Sequence, residues 1–209
     1  MTQALTDDFQ YAPPPKLANP GPLGYFSLGT TTLLVGLMIY GVQGVQSLAM
    51  LIGQVAAVGG LGMLISCFWH YQQGSNFGTA AFGMYGLFYI SLAIVLYPIA
   101  GASAGYPDAA DYNTALGLYL LVWFLLSLVM WPVTWRINVG LTVLFTFVWL
   151  YFLFLAVGFM ISHKQVINTG AAFGMCVGAW SYILGMEHLY AEDDCFIKIP
   201  NPSLAKKRD

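Results

Sequence analysis

Long apolar runs, separated by short polar connections, make up most of this chain. Six runs approach or exceed the length that a membrane span needs, and they extend over residues 22–42, 47–71, 76–97, 115–131, 139–161 and 169–190. The hydrocarbon core of a bilayer is about 30 Å thick and takes ~20 helical residues to cross. Membrane-barrel strands would alternate in hydrophobicity and be about half as long. The pattern therefore predicts six transmembrane helices, whose backbone polar groups are paired within each helix.

The connections between the runs are short, except for residues 98–114, "PIAGASAGYPDAADYNT". We predict a terminal segment over 1–18, a membrane domain over 19–190 and a tail over 191–209. The first run is not expected to be a signal peptide, because acidic and Pro-rich residues precede it and it is longer than an h-region.

Composition agrees with this pattern. Hydrophobic residues make up 58% of the 209 residues and charged residues 8%, and the mean hydropathy is +0.70. Soluble domains are about one quarter charged. The predicted fold class is therefore an all-α integral membrane protein. The net charge of −2 comes with no basic patch, so no nucleic-acid partner is expected.

The cationic residues predict the orientation of the spans. An even number of spans places both termini on one side, and that side carries all but one of the Lys and Arg residues: Lys16, Arg136, Lys198, Lys206, Lys207 and Arg208. Only Lys164 lies on the other side. By the positive-inside rule both termini face the cytoplasm. The plasma membrane is the expected location, although Lys206 and Lys207 resemble a dilysine retrieval signal and leave an internal membrane open for a eukaryotic source.

Ionisable side chains are rare within the spans. His70, Glu187 and His188 lie near span ends that are cytoplasmic in this topology. Glu187, together with His70 or His188, is a candidate for proton handling; the alternative is that Glu187 is solvated at a helix end. Three unevenly placed cysteines favour free thiols over a disulfide framework or a metal site: Cys67, Cys176 and Cys195. We expect no metal and no cofactor.

The stretch "NPGPLG" introduces the first span. Asn19 is a preferred helix N-cap, and Pro20 suits the first helical position. The amides of Gly21, Leu23 and Gly24 would then lie at the positive end of the helix dipole, where free N–H groups can hold an anion. The alternative is that the stretch only caps the helix. Shortly after it, adjacent Thr30, Thr31 and Thr32 point in different directions, so at least one should face the bundle interior; we favour Thr31.

The third and sixth spans share a short motif. Asn76 in "GSNFG" and Asn168 in "INTG" each precede "AAFGM", at residues 80–84 and 171–175. Spans three apart have opposite orientations, so the match predicts an inverted three-plus-three repeat, an architecture found in transporters. Asn76 would cap a helix at the cytoplasmic mouth and Asn168 one at the outer mouth. Chance repetition of common residues is the alternative.

Several of these motifs occur in the order found in a known family. "NPGPLG" followed by "GTTTLL", then "GSNFGTAAFGMYGLF", "LGLYLLVW" and "LAVG", resembles the acetate uptake transporter family over about residues 16–192. The resemblance implies a six-helix membrane protein that moves acetate, and in some members succinate, together with protons. It also implies a hexamer with one pore through each protomer.

The family's opening motif falls on Asn19, Pro20 and Pro22–Gly24. Its apolar neck uses a Phe, a Tyr and a Leu from the first, third and fifth spans, and alignment places these at Leu28, Tyr85 and Val148. Only Tyr85 is the usual residue, so smaller side chains would widen the neck and alter the preferred substrate size. Together, the residues and the resemblance give these candidate pore residues: Asn19, Pro20, Gly24, Leu28, Thr31, Asn76, Tyr85, Phe88, Val148 and Asn168.

The expected function is transport of a small monocarboxylate such as acetate, with succinate as a further candidate substrate. Transport is expected to be either coupled to protons or channel-like. Its partners are the carboxylate, protons and the lipid bilayer. One alternative is a channel for small neutral solutes such as urea, ammonia or undissociated acid. A second is an intramembrane enzyme built on His70, Glu187 and His188. Neighbouring helical residues point about 100° apart and no HExxH-like spacing is present, so we expect no enzyme.

Overall fold

The structure, a computed structural model, describes residues 18–45, 47–192 and 195–205. This part of the chain contains six long helices, and each is long and apolar enough to cross a membrane, which confirms the predicted fold class. Their bounds are α1 Gly21–Tyr40, α2 Ala49–Gln72, α3 Asn76–Leu96, α4 Ala109–Thr134, α5 Val139–Met160 and α6 Lys164–Glu192.

Two helices begin earlier than their apolar runs. α4 begins inside the predicted loop, because Asp108 caps it by accepting a hydrogen bond from the Asp111 amide at 2.8 Å. α6 begins at Lys164 rather than Thr169. Asn168 therefore lies one turn inside α6, and the prediction that it caps this helix is wrong. Apolarity marks only the part of a helix that meets hydrocarbon, whereas helical hydrogen bonding continues into the polar interface.

α2 changes its helical winding along its length. Ala49–Gly53 and Met63–Gln72 are α-helical, but Gln54–Gly62 forms a π-helical segment between them. This segment packs closely against α1 and α3, because its glycines have no side chains to hold the helices apart. A Cβ added at Gly59 would come 2.8 Å from both Thr31 Cγ2 and Tyr89 Cγ. The hydrophobic pattern predicted one continuous span and gave no sign of this change.

The helices pack as a bundle that leaves space between α3 and α5. α1 lies between α6 and α2, α3 packs on α2, and α5 contacts both α4 and α6. At one end, the C-terminal tail lies along the α4–α5 connection, where the Val139 amide donates to Pro202 O and the Leu204 amide to Ile137 O, both at 3.1 Å. Gln73, in the α2–α3 connection, donates to Ala18 O at 3.2 Å. The segments preceding α1 and following α6 therefore lie at the same end of the bundle.

Some cations used for the predicted orientation lie outside the described residues: Lys16, Lys206, Lys207 and Arg208. Arg136 and Lys198 lie at the end that holds the tail, and Lys164 begins α6 at the opposite end.

The α1–α6 contact relies on close backbone approach at Gly178. A Cβ there would lie 2.7 Å from Leu33 Cβ and 2.8 Å from Leu33 N. We expect Gly178→Ala to lower the melting temperature in detergent, since overpacking typically costs about 1–3 kcal/mol. Gly53→Ala is the matched control, because Gly53 is an exposed helical glycine with no neighbour within 4 Å of its added Cβ. Equal melting temperatures for both variants would show that α1 and α6 can move apart at Gly178 without loss of stability.

Candidate functional site: a cavity inside the helix bundle

A cavity of about 200 Å³ extends into the bundle between α1, α3 and α5. Each helix contributes one face at helical spacing, for example Ala81, Tyr85 and Phe88 on α3 and Leu141, Phe145, Val148 and Phe152 on α5. Along α3 the lining runs from Ser75 to Tyr89, which at ~1.5 Å per residue is about 21 Å. The cavity therefore extends along more than half of α3.

The cavity is open at one end and closed at the other. Its mouth is lined by half-buried His70, Ser75, Ile137, Asn138 and His188, and it lies at the end that holds the tail. Its inner end is what we call the aromatic floor, which consists of Phe88, Tyr89, Tyr151 and Phe152. These four side chains are at most 3% exposed.

The rings of the aromatic floor contact one another directly. Phe88 and Phe152 meet edge to face with centroids 5.1 Å apart, and Tyr151 lies 5.0 Å from Phe152. Tyr85, one turn nearer the mouth, stacks on Phe152 at 6.3 Å. Such aromatic contacts are favourable beyond their buried area. The floor therefore closes the cavity with packed side chains.

The hydroxyl groups around the cavity differ in whether they are already paired. Thr32 Oγ1 lies 2.7 Å from Leu28 O and 2.6 Å from the Tyr89 hydroxyl, and the Tyr85 hydroxyl lies 2.8 Å from Ser127 Oγ. For the Tyr151 hydroxyl, the structure shows no hydrogen-bond partner among the described residues. This phenol is the polar group of the floor that remains available to a bound solute.

The mouth is organised by side-chain bonds to backbone carbonyls. His70 Nδ1 lies 2.9 Å from Ser66 O, and His188 Nδ1 lies 3.0 Å from Leu184 O. Glu187 Oε2 is 2.9 Å from His188 Nδ1. Asn201 in the tail donates to Glu187 at 3.2 Å and accepts from the Gly140 amide at 3.0 Å. The tail is therefore tied to the residues that adjoin the mouth.

Six of the residues proposed from the sequence line this cavity: Leu28, His70, Tyr85, Phe88, Val148 and His188. The three neck positions, on α1, α3 and α5, are thus brought to one space. Glu187 does not line the cavity but contacts His188, which does. The roles of these residues in transport remain predictions.

The opening motif lies beside the cavity rather than in its lining. Asn19 Oδ1 accepts from the Gly21 amide at 2.9 Å, and Pro20 O accepts from Ser66 Oγ at 2.8 Å and from the Gly24 amide at 3.2 Å. The prediction that the Gly21 and Gly24 amides are free is therefore wrong. The motif instead packs the start of α1 against α2 and places Tyr25 at the cavity.

The structure distinguishes neighbouring residues that the sequence did not. Thr32 lines the cavity, whereas Thr31 faces α2 and lies 3.4 Å from Gln54 Nε2. Ser75, not Asn76, caps α3 by accepting from the Gly78 amide at 3.3 Å, and Asn76 is exposed. Asn168 is outside the lining, and its buried Oδ1 has no partner among the described residues.

Sequence reasoning also missed most of the aromatic floor. Tyr89, Tyr151 and Phe152 were not proposed, nor was Asn138 at the mouth. Residues three or four apart lie on the same face of a helix. Tyr89 follows the proposed pore residue Tyr85 by four positions, and Tyr151 follows the proposed Val148 by three. That spacing was the available signal, and it was not applied.

Six long apolar helices define a multi-pass integral membrane protein, and its mostly apolar cavity has room for a small solute. The family comparison agrees: the chain matches the model of the GPR1/FUN34/yaaH family over residues 2–206 and belongs to that family.

Individual relatives are about 30% identical to this chain over the residues that align. The meiotically up-regulated gene 86 protein of Schizosaccharomyces pombe is 30% identical over 87% of this chain, which spans only 62% of that relative's length. The succinate-acetate/proton symporter SatP of Escherichia coli K12 is 31% identical over 85% of this chain and 91% of its own length. The solved structure of the bacterial acetate channel SatP superposes with a TM-score of 0.78 at 28% identity, covering 90% of this chain and all of that one.

Proposed function

We propose that this protein transports small monocarboxylates, with acetate as the reference substrate, and that protons accompany the substrate. The observation that carries the proposal is the cavity between α1, α3 and α5. Among the described residues that line it, no Asp, Glu, Lys or Arg occurs, and a mostly apolar lining carries a few hydroxyl and imidazole groups. The bacterial relative named for succinate, acetate and proton symport supports this choice of substrate.

The chemistry of the lining suits a small anion that can take up a proton. Carboxylic acids of this kind have a pKa of roughly 4–5 and are mostly ionised at neutral pH. Transfer of a bare carboxylate into apolar surroundings is very costly. The Tyr151 hydroxyl and the groups at the mouth replace part of its hydration, and protonation lowers the remaining penalty. A proton gradient can therefore drive accumulation.

The neck positions suggest how substrate size is selected. Leu28, Tyr85 and Val148 come from three helices and meet the same cavity. Leu28 and Val148 differ from the residues usual in the family, so the space available to a substrate differs too. We propose that this trio, with the aromatic floor beyond it, limits the size of acids that pass.

Uptake of labelled acetate into liposomes that contain the purified protein tests the proposal. We expect saturable uptake that is faster with an inward proton gradient and that unlabelled acetate inhibits. Succinate, lactate and urea serve as competitors that rank the substrates. Rapid flux of urea or ammonia without acetate flux would overturn the proposal and favour a pore for neutral solutes.

The remaining expectations follow as parts of the same proposal. Both termini face the cytoplasm, so the open mouth of the cavity is cytoplasmic, and the protein acts as a transporter and not as an enzyme. We propose a hexamer in the plasma membrane with one pathway in each protomer. Protease protection of a C-terminal epitope in sealed, right-side-out vesicles tests the orientation; cleavage of the epitope from outside would contradict it.

A further inference from the structure

Two histidine side chains line the mouth of the cavity. His70 lies near the end of α2 and His188 near the end of α6, and both line the mouth. Among the described lining residues, they are the only side chains that can carry a positive charge. An anion that enters this cavity therefore has no other cationic partner within the lining.

Both rings are held in the same way. His70 Nδ1 lies 2.9 Å from Ser66 O, and His188 Nδ1 lies 3.0 Å from Leu184 O. A carbonyl oxygen only accepts hydrogen bonds, so Nδ1 of each ring carries the hydrogen. Nε2 is then an acceptor in the neutral ring and a donor in the protonated ring. Protonation thus changes what each ring offers an incoming carboxylate.

Packing fixes the positions of the two rings. A Cβ at Gly21 would lie 2.6 Å from His188 Cδ2, and a Cβ at Gly78 would overlap His70. Phe82 and Tyr25 join the imidazoles: ring centroids are 4.8 Å apart for His70 and Phe82, 5.3 Å for Phe82 and Tyr25, and 5.0 Å for Tyr25 and His188. The four rings form a continuous patch, which we call the mouth patch.

Glu187 adds a negative charge beside the two imidazoles, so the sign of the net charge at the mouth depends on whether the imidazoles are protonated. Its Oε2 is 2.9 Å from His188 Nδ1, and it also accepts from Asn201 Nδ2 at 3.2 Å. The other groups that face the rings are the Tyr25 phenol ring on α1, Phe82 and Gly78 on α3, and Ser66 on α2. With Glu187 ionised, neutral imidazoles leave a local charge of about −1, and two protonated imidazoles make it about +1.

We propose that His70 and His188 together form a carboxylate-binding site at the cavity mouth, which binds a small monocarboxylate anion when both rings are protonated. Loss of these protons reverses the sign of the local charge and releases the anion. Substrate and protons are therefore bound at one place. This inference rests on the proposed transport function and names the site where proton binding and substrate binding meet.

Labelled-acetate counterflow at equal pH on both sides of the liposome membrane tests the site without a driving gradient. We compare about pH 5.5 with about pH 7.5; acetate stays largely ionised at both. For the unmodified protein we expect KM to rise about tenfold or more with pH, because a nearby charge changes sign. In the double variant His70→Gln, His188→Gln, KM should be high and nearly equal at both pH values.

The third histidine provides a matched control. His163 is exposed in the α5–α6 connection, at the opposite end from the mouth, so His163→Gln should keep the full pH dependence of KM. His70→Lys, His188→Lys should keep KM low at about pH 7.5. A purely structural role of the pair would instead lower the maximal rate and the melting temperature, and leave the ratio of the two KM values unchanged.

The outcomes separate this inference from the function beneath it. No acetate counterflow by the unmodified protein at either pH would overturn the proposed function itself. Normal counterflow with a KM that does not change with pH would overturn the site alone. The pH dependence of KM in the unmodified protein needs no variant, so this test of the site remains possible even if the double variant fails to fold.

Discussion

Replacement of Ala81 by Trp should reduce acetate uptake about tenfold or more, because packed interiors do not yield space to an added ring. Ala81 is 6% exposed and lines the cavity on α3, one turn before Tyr85. An indole at this position fills the space between α3 and α5 through which the proposed substrate moves. The measurement is initial uptake into liposomes, normalised to the amount of folded protein.

The neighbouring residue gives a close control for this variant. Ala80 is exposed on the same helix, and Ala80→Trp adds the same side chain to the outer surface. We expect its uptake to remain near that of the unmodified protein. Ala81→Leu, a smaller change, should give an intermediate rate. Normal uptake by a folded Ala81→Trp protein would mean that the substrate does not pass through this cavity.

Removal of the Phe88 ring should open the aromatic floor. Phe88 is 1% exposed, and its ring lies 5.0–5.9 Å from the rings of Tyr89, Tyr119, Trp123 and Phe152. We expect Phe88→Ala to raise the uptake of lactate and succinate relative to acetate about tenfold, because a side chain that closes the cavity is deleted. The same deletion should destabilise the protein by about 3–5 kcal/mol.

Control variants separate the loss of closure from the loss of stability. Phe68→Ala removes the same ring from a position on α2 that is 65% exposed, and it should change neither selectivity nor melting temperature. Phe88→Leu keeps more of the packing and should show a smaller change in selectivity. If selectivity for acetate is unchanged in a folded Phe88→Ala protein, the aromatic floor is not the barrier that selects substrates by size.

Much of the fold follows from the sequence because lipid leaves the backbone few options. Without water to pair with, a long apolar run must form a helix, and all six predicted helices are present. Their ends were less predictable. The turns that begin α4 at Ala109 and α6 at Lys164 contain Asp111 and Gln165, polar residues that a hydropathy pattern excludes from a span.

The candidate site was predicted only in part, and the reason is physical. In a soluble helix, water on one side separates polar from apolar faces. In a bilayer both the lipid-facing side and the interior side are apolar, so hydrophobicity does not distinguish them. Ala80 and Ala81 look alike in the sequence, yet one is exposed and the other lines the cavity. Thr31 and Thr32 differ in the same way, one facing α2 and the other the cavity.

Local chemistry indicated the start of α1 to within one residue, since Pro20 and not Asn19 is the N-cap of the helix, but it did not indicate what the groups at this helix start would bind. Asn19 does accept from a helix-start amide, as a capping residue should. That bond, together with the one from the Gly24 amide to Pro20 O, uses two of the three donors that were expected to hold an anion, those of Gly21 and Gly24. Whether a terminal amide is free depends on what the rest of the fold places beside it.

The sequence by itself determined the membrane class, the six helices and the family motifs, since each depends on properties of residues close together in the chain. Tertiary structure alone decided which faces meet at the cavity, how Phe88 and Phe152 close its floor, and that His70 and His188 share its mouth. Those two histidines are 118 positions apart. The packing of α1, α2, α3 and α6 brings them to one place, and no local pattern along the chain encodes that arrangement.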